Sequence, residues 1–382
     1  MRLSIKLGLI LVLYSSPCRL DRLNLDHFDG VEDIDPFKLT EKEISNISEN
    51  IQGLLGVDHP VLSTVSHYFF KIDGGKKLRP TMVVLMSQAM NYDRSVRRAR
   101  NGEDSEATNN LGESLLDGNT LFKSQIRLAE ITELLHTASL LHDDVIDVAD
   151  TRRGVSSVNS VFGNKLAILA GDFLLSRASV CVARLRNIPV IELLSTVIEH
   201  LVKGEVMQLK NALRNTKAID SAFEIYLRKT FYKTASLMAN SCRSAALLGQ
   251  YPEHIANIGY RYGQHIGLAF QLIDDMLDFT SQSSYLGKPA LNDMKQGIAT
   301  APVLFASEEY PDVIKLIERK FEAPGDVEAG AEFVEKSNGV DRTRKLAYAH
   351  TQCALDAISE LEPSKYRTAL ASLACELMDR TK

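Results

Sequence analysis

Asp-Asp occurs only twice in this chain, and both times it opens the same pattern, Asp-Asp-x-x-Asp: Asp143, Asp144 and Asp147, then Asp274, Asp275 and Asp278. Each copy closes a long stretch of helically spaced apolar residues. In a helix, Asp143 and Asp147 stand one turn apart on one face, and so do Asp274 and Asp278. Behind the first pair on that face come Ser139, His136 and Thr132, while Ile131, Leu134, Leu135, Ala138, Leu141, Val145 and Ile146 make the rest apolar. Gln271 and Gly267 stand behind the second pair, among Ala269, Phe270, Leu272, Ile273 and Leu277. A chain with two such helices must bury them and still give their acidic ends a place where charge is tolerated.

Carboxylates this close repel one another and raise each other's pKa unless a cation intervenes. Both clusters fall late in their helices, where the helix dipole also disfavours negative charge. A divalent cation resolves the conflict. Carboxylate oxygens without His or Cys suit Mg²⁺, which keeps several waters and bridges to phosphate oxygens. One such motif alone could simply end an exposed helix or pair with Arg152 and Arg153. Two in matched settings point to a Mg²⁺–phosphate or Mg²⁺–diphosphate site built from two opposed acidic helices. A calcium loop fits poorly, because it needs Gly and alternating ligands outside a helix.

Composition narrows the rest. Lys+Arg 44 against Asp+Glu 49 leaves a net charge of −5, so no basic excess points to nucleic acid. Apolar residues at 45% supply a large core, and the absence of Trp with only 7% aromatics favours helices over a β-sandwich. Cys18, Cys181, Cys242, Cys353 and Cys375 lie far apart and form no Cys-x-x-Cys, which reads as unpaired thiols in a reducing compartment. No apolar run reaches the ~18 residues of a membrane-spanning helix.

Before Asp21 the chain carries Arg2, Lys6 and Arg19 and no acid, a bias that suits an organelle transit peptide, although Leu7 to Tyr14 also resembles a secretory h-region. The expected organisation is residues 1–35 as a transit peptide or disordered leader and 36–382 as one all-α domain, with a loop insertion at 91–120. Thr40 and Glu43 have the spacing of a capping box. Helical patterns cover Val61 to Phe70, Met82 to Met90, Gln125 to Val148, Leu166 to Arg186, Ile191 to Leu213, Ser221 to Leu248 and Glu253 to Phe279. Residues 280–299 read as a loop. Helices resume near Ala301 and run to Leu377, with breaks near Pro324-Gly325 and Pro363. Strand-type alternation is not evident.

Cations recur where a diphosphate site could use them. Lys76 and Arg79 flank the Gly74-Gly75 hinge, Arg152-Arg153 follow the first acidic helix, and Lys233-Thr234 and Lys288 add more. Singly, each is an ordinary surface cation; Gly-hinged loops and Arg pairs favour phosphate when they converge.

These segments resemble the trans-type, head-to-tail isoprenyl diphosphate synthases: Gly-Gly-Lys-Lys-Leu-Arg-Pro at 74–80, Leu-Leu-His-Asp-Asp-Val-Ile-Asp at 140–147 followed by Arg152-Arg153-Gly154, Lys-Thr-Ala-Ser at 233–236, Gly-x-Ala-Phe-Gln-Leu-Ile-Asp-Asp-Met-Leu-Asp at 267–278, and Leu-Gly-Lys at 286–288. Order and spacing agree from about residue 40 to 305. Ala-Thr-Ala-Pro-Val-Leu-Phe-Ala at 299–306 is similar to the long-chain branch that makes ubiquinone side chains, the hexaprenyl to decaprenyl diphosphate synthases. The resemblance implies an all-α helical bundle around a central cavity, usually dimeric, that joins isopentenyl diphosphate to an allylic primer such as farnesyl or geranylgeranyl diphosphate. It implies mitochondrial location, at the matrix or inner-membrane face, a homodimer or a heteromer with a related subunit, and a peripheral membrane contact for product release.

By the same resemblance, Asp143, Asp147 and Asp274 ligate Mg²⁺, roughly three ions per site, with Asp144, Asp275 and Asp278 in support. Asp143, Asp144, Asp147, Asp274 and Lys233 carry catalysis. Arg152, Lys233, Thr234, Gln271 and Lys288 hold the allylic diphosphate; Lys76, Arg79, His136 and Arg153 hold isopentenyl diphosphate. One departure is visible: the family often has Lys after the Gly of the loop near 297, and here that residue is Ile298.

Product length has its own signal. The growing tail must run along the first acidic helix toward its N-terminus, where Ala138 and Ser139 lie one turn below Asp143. Both are small, which leaves the path open for a long product; a farnesyl or geranylgeranyl diphosphate synthase would carry bulk there. A noncatalytic subunit would have lost one acidic motif, and a terpene cyclase would lack the Gly-Gly-Lys-Lys-Leu-Arg-Pro anchor.

Overall fold

The computed structural model describes residues 22–55, 60–72, 75–100, 121–152, 154–209, 219–280 and 291–380. Residues 1–21 of the leader expected over 1–35, most of the expected insertion, Arg153 and Lys288 therefore lie outside the described residues, whereas residues 22–35 are described and bury Phe28 and Val31 in a core.

The longer helices are α1 (Ile47–Leu55), α2 (Pro60–Ile72), α3 (Leu78–Arg100), α4 (Lys123–Ile146), α5 (Asn164–Arg184), α6 (Ile188–Leu209), α7 (Ile219–Thr230), α8 (Ser236–Leu248), α9 (Glu253–Thr280), α10 (Ala301–Glu309), α11 (Asp312–Glu318), α12 (Asp326–Lys336), α13 (Gly339–Ser359) and α14 (Lys365–Met378). A π-helical turn, Phe231–Ala235, joins α7 to α8. The expected all-α class holds. The described strands are β1 (Thr151–Arg152) and β2 (Val155–Ser156), an antiparallel pair two residues long on each side.

Three expectations need correction. The helix that starts at Leu78 continues to Arg100, ten residues into the stretch read as a loop; its polar, basic end lacks apolar periodicity, which hid it. Thr40 does not form a capping box: its hydroxyl donates backward to the Pro36 carbonyl at 3.0 Å. Finally, α5 is long and apolar enough, by length and composition, to cross a membrane, although Lys165, Asp172 and Arg177 interrupt its apolar run. In this fold it packs along α4 instead.

Two helices organise the core. α4 is apolar nearly all round, as a buried helix must be, and Leu128, Ile131, Leu134, Leu135 and Ala138 pack with Ala170 and Leu174 of α5 and Val190 and Leu194 of α6. α9 packs between α8 and α13. Gly259, Gly263 and Gly267, four residues apart, let it close on the preceding segment: a Cβ would lie 2.8 Å from the Cys242 carbonyl oxygen, 2.5 Å from that of Met238 and 2.4 Å from Ala235 Cα. A second core joins α3, α8, α9, α13 and α14 through Met82, Met86, Tyr262, Leu355 and Leu370. A third joins α7, α9 and α10 through Phe223, Met276 and Phe305. Cys181, Cys242, Cys353 and Cys375 are free thiols, as expected.

Candidate active site

The acidic ends of α4 and α9 differ in how each carboxylate is used. Asp147 is the C-cap of α4, its N–H bonded to the Asp143 carbonyl at 2.8 Å, so the two carboxylates stand one turn apart at the end of the helix. Asp144 points the other way. It is 3% exposed and forms a bidentate ion pair with Arg152 from β1, at 2.7 and 2.9 Å. Arg152, expected on the diphosphate, is paired with Asp144 in this structure.

On α9, Asp275 is buried and accepts from the Tyr226 hydroxyl at 2.6 Å and the Gln271 amide at 2.9 Å. Asp278 accepts the backbone N–H groups of Asn292 and Asp293 at 3.0 and 3.1 Å, holding the short helix Asn292–Lys295. Asp274 is left to a charged partner, Arg380, at 2.8 Å.

The turn Phe231–Ala235 links the two acidic groups. Lys233 forms an ion pair with Glu205 of α6, bonds Gln208 Oε1 at 3.2 Å, and acts on Asp143 and Asp147 through its charge. Thr234 donates to Gln271 Oε1 at 2.8 Å, which continues to Asp275. The turn approaches α6 and α9 closely because both present glycine: a Cβ on Gly204 would meet Lys233 Cγ at 2.6 Å, and one on Gly267 would meet Ala235.

Electrostatic strain is concentrated here. Burial, opposed in part by Lys233 and reinforced by Glu205 and Asp147, pushes the Asp143 carboxyl up to about 7. Burial also raises Asp147. Asp274 is pushed up to about 6 by burial despite Arg380. Asp293, beside Asp275 and Asp278, rises for the same reason, first from burial and then from its acidic neighbours. Lys229, one turn before Lys233, is lowered by burial although Asp275 and Asp293 are near.

Hard oxygen donors held at raised pKa values are what a divalent cation relieves. Among the described residues no group of three or more His, Cys, Asp or Glu forms a finished metal cage.

A cavity of about 370 Å³ is lined in part by Phe270. Lys76, Arg79, His136, Arg380, Glu133 and Glu376 are among the residues that line it. Arg79 Nη1 lies 3.0 Å from His136 Nε2, and the guanidinium groups of Arg79 and Arg380 sit 5.9 and 4.7 Å from the Phe270 ring centroid. The expected residues Lys76, Arg79 and His136 are therefore together.

Sequence reasoning missed Glu205, Gln208, Asp293 and Arg380. Glu205 and Gln208 are two of several polar residues in the helix Ile188–Leu209, so the sequence did not single them out. Arg380 carried no signal either.

A helical core with two acidic helices bridged by a cationic turn, beside a basic cavity, is the architecture of an isoprenoid-synthase prenyltransferase. The chain belongs to the polyprenyl synthetase family, whose profile, described as Polyprenyl synthetase, matches residues 59–334. It is 45% identical to a probable mitochondrial hexaprenyl pyrophosphate synthase of Yarrowia lipolytica, over 91% of this chain and 85% of that protein. It is 43% identical to a mitochondrial solanesyl-diphosphate synthase of Oryza sativa, over 92% of this chain and 80% of that one. A crystal structure of a polyprenyl synthase from Caulobacter crescentus, complexed with calcium and isoprenyl diphosphate, superposes with a TM-score of 0.74 at 26% identity, covering 94% of this chain and 99% of that chain.

Proposed function

We propose that this chain is a Mg²⁺-dependent long-chain polyprenyl diphosphate synthase that adds isopentenyl diphosphate units head to tail onto an allylic primer, farnesyl or geranylgeranyl diphosphate, for the ubiquinone side chain. The observation that carries this reading is the bridge from Asp143 and Asp147 through Lys233-Thr234 to Gln271 and Asp275, next to a second, basic cavity. One diphosphate has a metal-type site and the other a cation-lined one.

Mg²⁺, held by Asp143, Asp147 and Asp274, supplies charge neutralisation at the leaving diphosphate. Asp144, Asp275 and Asp278 orient the helices that carry those ligands. Lys233, Thr234 and Gln271 bind the allylic diphosphate, and Lys233 stabilises the charge that grows on its bridging oxygen as the allylic C–O bond breaks. Lys76, Arg79 and His136 hold isopentenyl diphosphate so that its double bond attacks the allylic carbon. The departed diphosphate takes the proton. Apolar walls along α4 exclude water that would quench the cation. Arg153 and Lys288 are assigned to the same diphosphates on the motif resemblance alone.

Mitochondrial placement follows the relatives named above. A second copy is the expected partner: Ile168 and Leu169 of α5 and Ile188, Val202, Val206 and Leu209 of α6 are 42–69% exposed. Apolar side chains exposed along two adjacent helices favour an isologous interface. A heteromer with a related subunit would use the same face, and release of a long apolar product favours a peripheral membrane contact. Nucleic acid is not an expected partner.

The test is to incubate pure protein with farnesyl or geranylgeranyl diphosphate, labelled isopentenyl diphosphate and Mg²⁺, then size the dephosphorylated products. A product no longer than geranylgeraniol rejects the long-chain reading. Asp143→Ala should reduce turnover by about two orders of magnitude or more with the fold intact; unchanged turnover removes the metal assignment.

A further inference from the structure

Two consecutive lysines, Lys76 and Lys77, line the basic cavity, and the family resemblance gives a role only to Lys76. Their side chains differ sharply. Lys76 is 77% exposed and only 3.8 Å from Glu376. Lys77 is 12% exposed and pairs at 2.9 Å with Glu133, which is 3% exposed. We propose that Lys77 is a positioning residue for the isopentenyl diphosphate subsite: it neutralises the buried Glu133 and pins the Gly75–Arg79 segment to α4, so that Lys76 and Arg79 meet the incoming diphosphate.

The backbone supports the division of labour. Lys77 has φ +53°, a left-handed conformation that residues with a side chain rarely adopt. A single left-handed residue changes the local chain direction. Lys77 is thereby sent inward to α4 while Lys76 stays at the cavity mouth, and α3 begins at the next residue.

α4 then clamps the segment twice from one face. Glu133 and His136, three residues apart and so neighbours on the helix surface, hold Lys77 and Arg79 respectively. The clamp has an electrostatic reason as well. Glu133 lines a cavity meant for an anion, and a buried carboxylate left unpaired there would repel the substrate. Removing one partner of a buried pair is more damaging than removing both. This makes the role of Lys77 separable from direct binding.

The proposal rests on the reading that this cavity takes isopentenyl diphosphate, so Arg79→Gln is included as a control on that reading. Steady-state KM for isopentenyl diphosphate, KM for primer, and kcat are measured for K77M, E133Q, the double variant K77M/E133Q and R79Q. The expected result is a rise of about tenfold or more in KM for isopentenyl diphosphate in K77M, about threefold in E133Q, and recovery of the double variant to near E133Q, with primer KM little changed.

If the double variant is as poor as K77M, Lys77 itself binds the diphosphate and the proposal is overturned. If R79Q raises that KM while no Lys77 or Glu133 variant does, the pair is only structural; the proposal falls and the subsite stands. If R79Q has no effect, the subsite reading fails and the proposal with it. Should K77M not fold, E133Q carries the test, since it leaves no unpaired carboxylate: an unchanged KM for isopentenyl diphosphate in E133Q overturns the proposal.

Discussion

Lys233 and Thr234 are consecutive in the chain, yet they serve opposite acidic helices. The lysine pairs with Glu205 and bears on Asp143 and Asp147, while the threonine hydroxyl reaches Gln271 and through it Asp275. In an α-helix neighbouring side chains point about 100° apart. Here the extra residue of a π turn widens the local helix, a distortion frequent at functional sites.

Lys233→Met should lower kcat by about a hundredfold, the usual effect of losing a charge aimed at a developing anion. It should also move the acid limb of the kcat–pH profile upward, because Lys233 is the group that holds the Asp143 carboxyl down against burial. An acid limb that stays in place would show that Asp143 is not the titrating group.

Stability without metal should fall with rising pH through the same carboxylates. An unfolded aspartate titrates near 3.9, whereas Asp143 is pushed up to about 7 and Asp274 to about 6 in the folded protein. Between these values the native state binds more protons than the unfolded state, so unfolding becomes easier as pH rises from about 4 to about 7. Asp143→Asn removes the larger shift. The melting temperatures of wild type and variant should lie closest at about pH 4 and separate as pH rises, with the variant higher at about pH 8 when Mg²⁺ is chelated. Equal melting temperatures at both pH values would rule this out.

Much of this was legible in the sequence. Periodicity located the long helices because α4 and α9 bury apolar residues over many turns, and the acidic ends stood out against that apolar background. What escaped depends on distance in space. Arg380 reaches Asp274 from the end of the chain. Asp144 and Asp143 are adjacent and alike in sequence, and only the position of Arg152 separates an ion-paired acid from one left for a cation. The continuation of α3 beyond Met90 carries no apolar stripe, so no periodic signal marked it.

Ala138 is fully buried in the core that α4 shares with α5, on the N-terminal side of the first acidic cluster. Ala138→Phe should shorten the product, since a ring at this depth fills the path of the growing chain. Overpacking should also cost about 1–3 kcal/mol of stability. Product length, read by chromatography of the dephosphorylated alcohols, is the decisive measurement. An unaltered length in a folded variant would show that the chain grows along another wall.

Gly267 and Gly259 lie on the same stripe of α9 and allow a controlled comparison. A methyl group at Gly267 would lie 2.4 Å from Ala235 Cα, inside the π turn that carries Lys233 and Thr234. At Gly259 it would lie 2.8 Å from the Cys242 carbonyl oxygen, on α8 beyond that turn. Both alanine substitutions force α9 away from its neighbour, and each should cost about 1–3 kcal/mol. Only Gly267→Ala displaces Lys233 and Thr234 directly. A shift of about 1 Å in a group that positions substrate can cost about a hundredfold in rate. The expected outcome is therefore a comparable drop in melting temperature for both variants, with a much larger loss of kcat in Gly267→Ala. If the two lose kcat equally, the π turn has no special place in the reaction and the link between the acidic helices is merely packing.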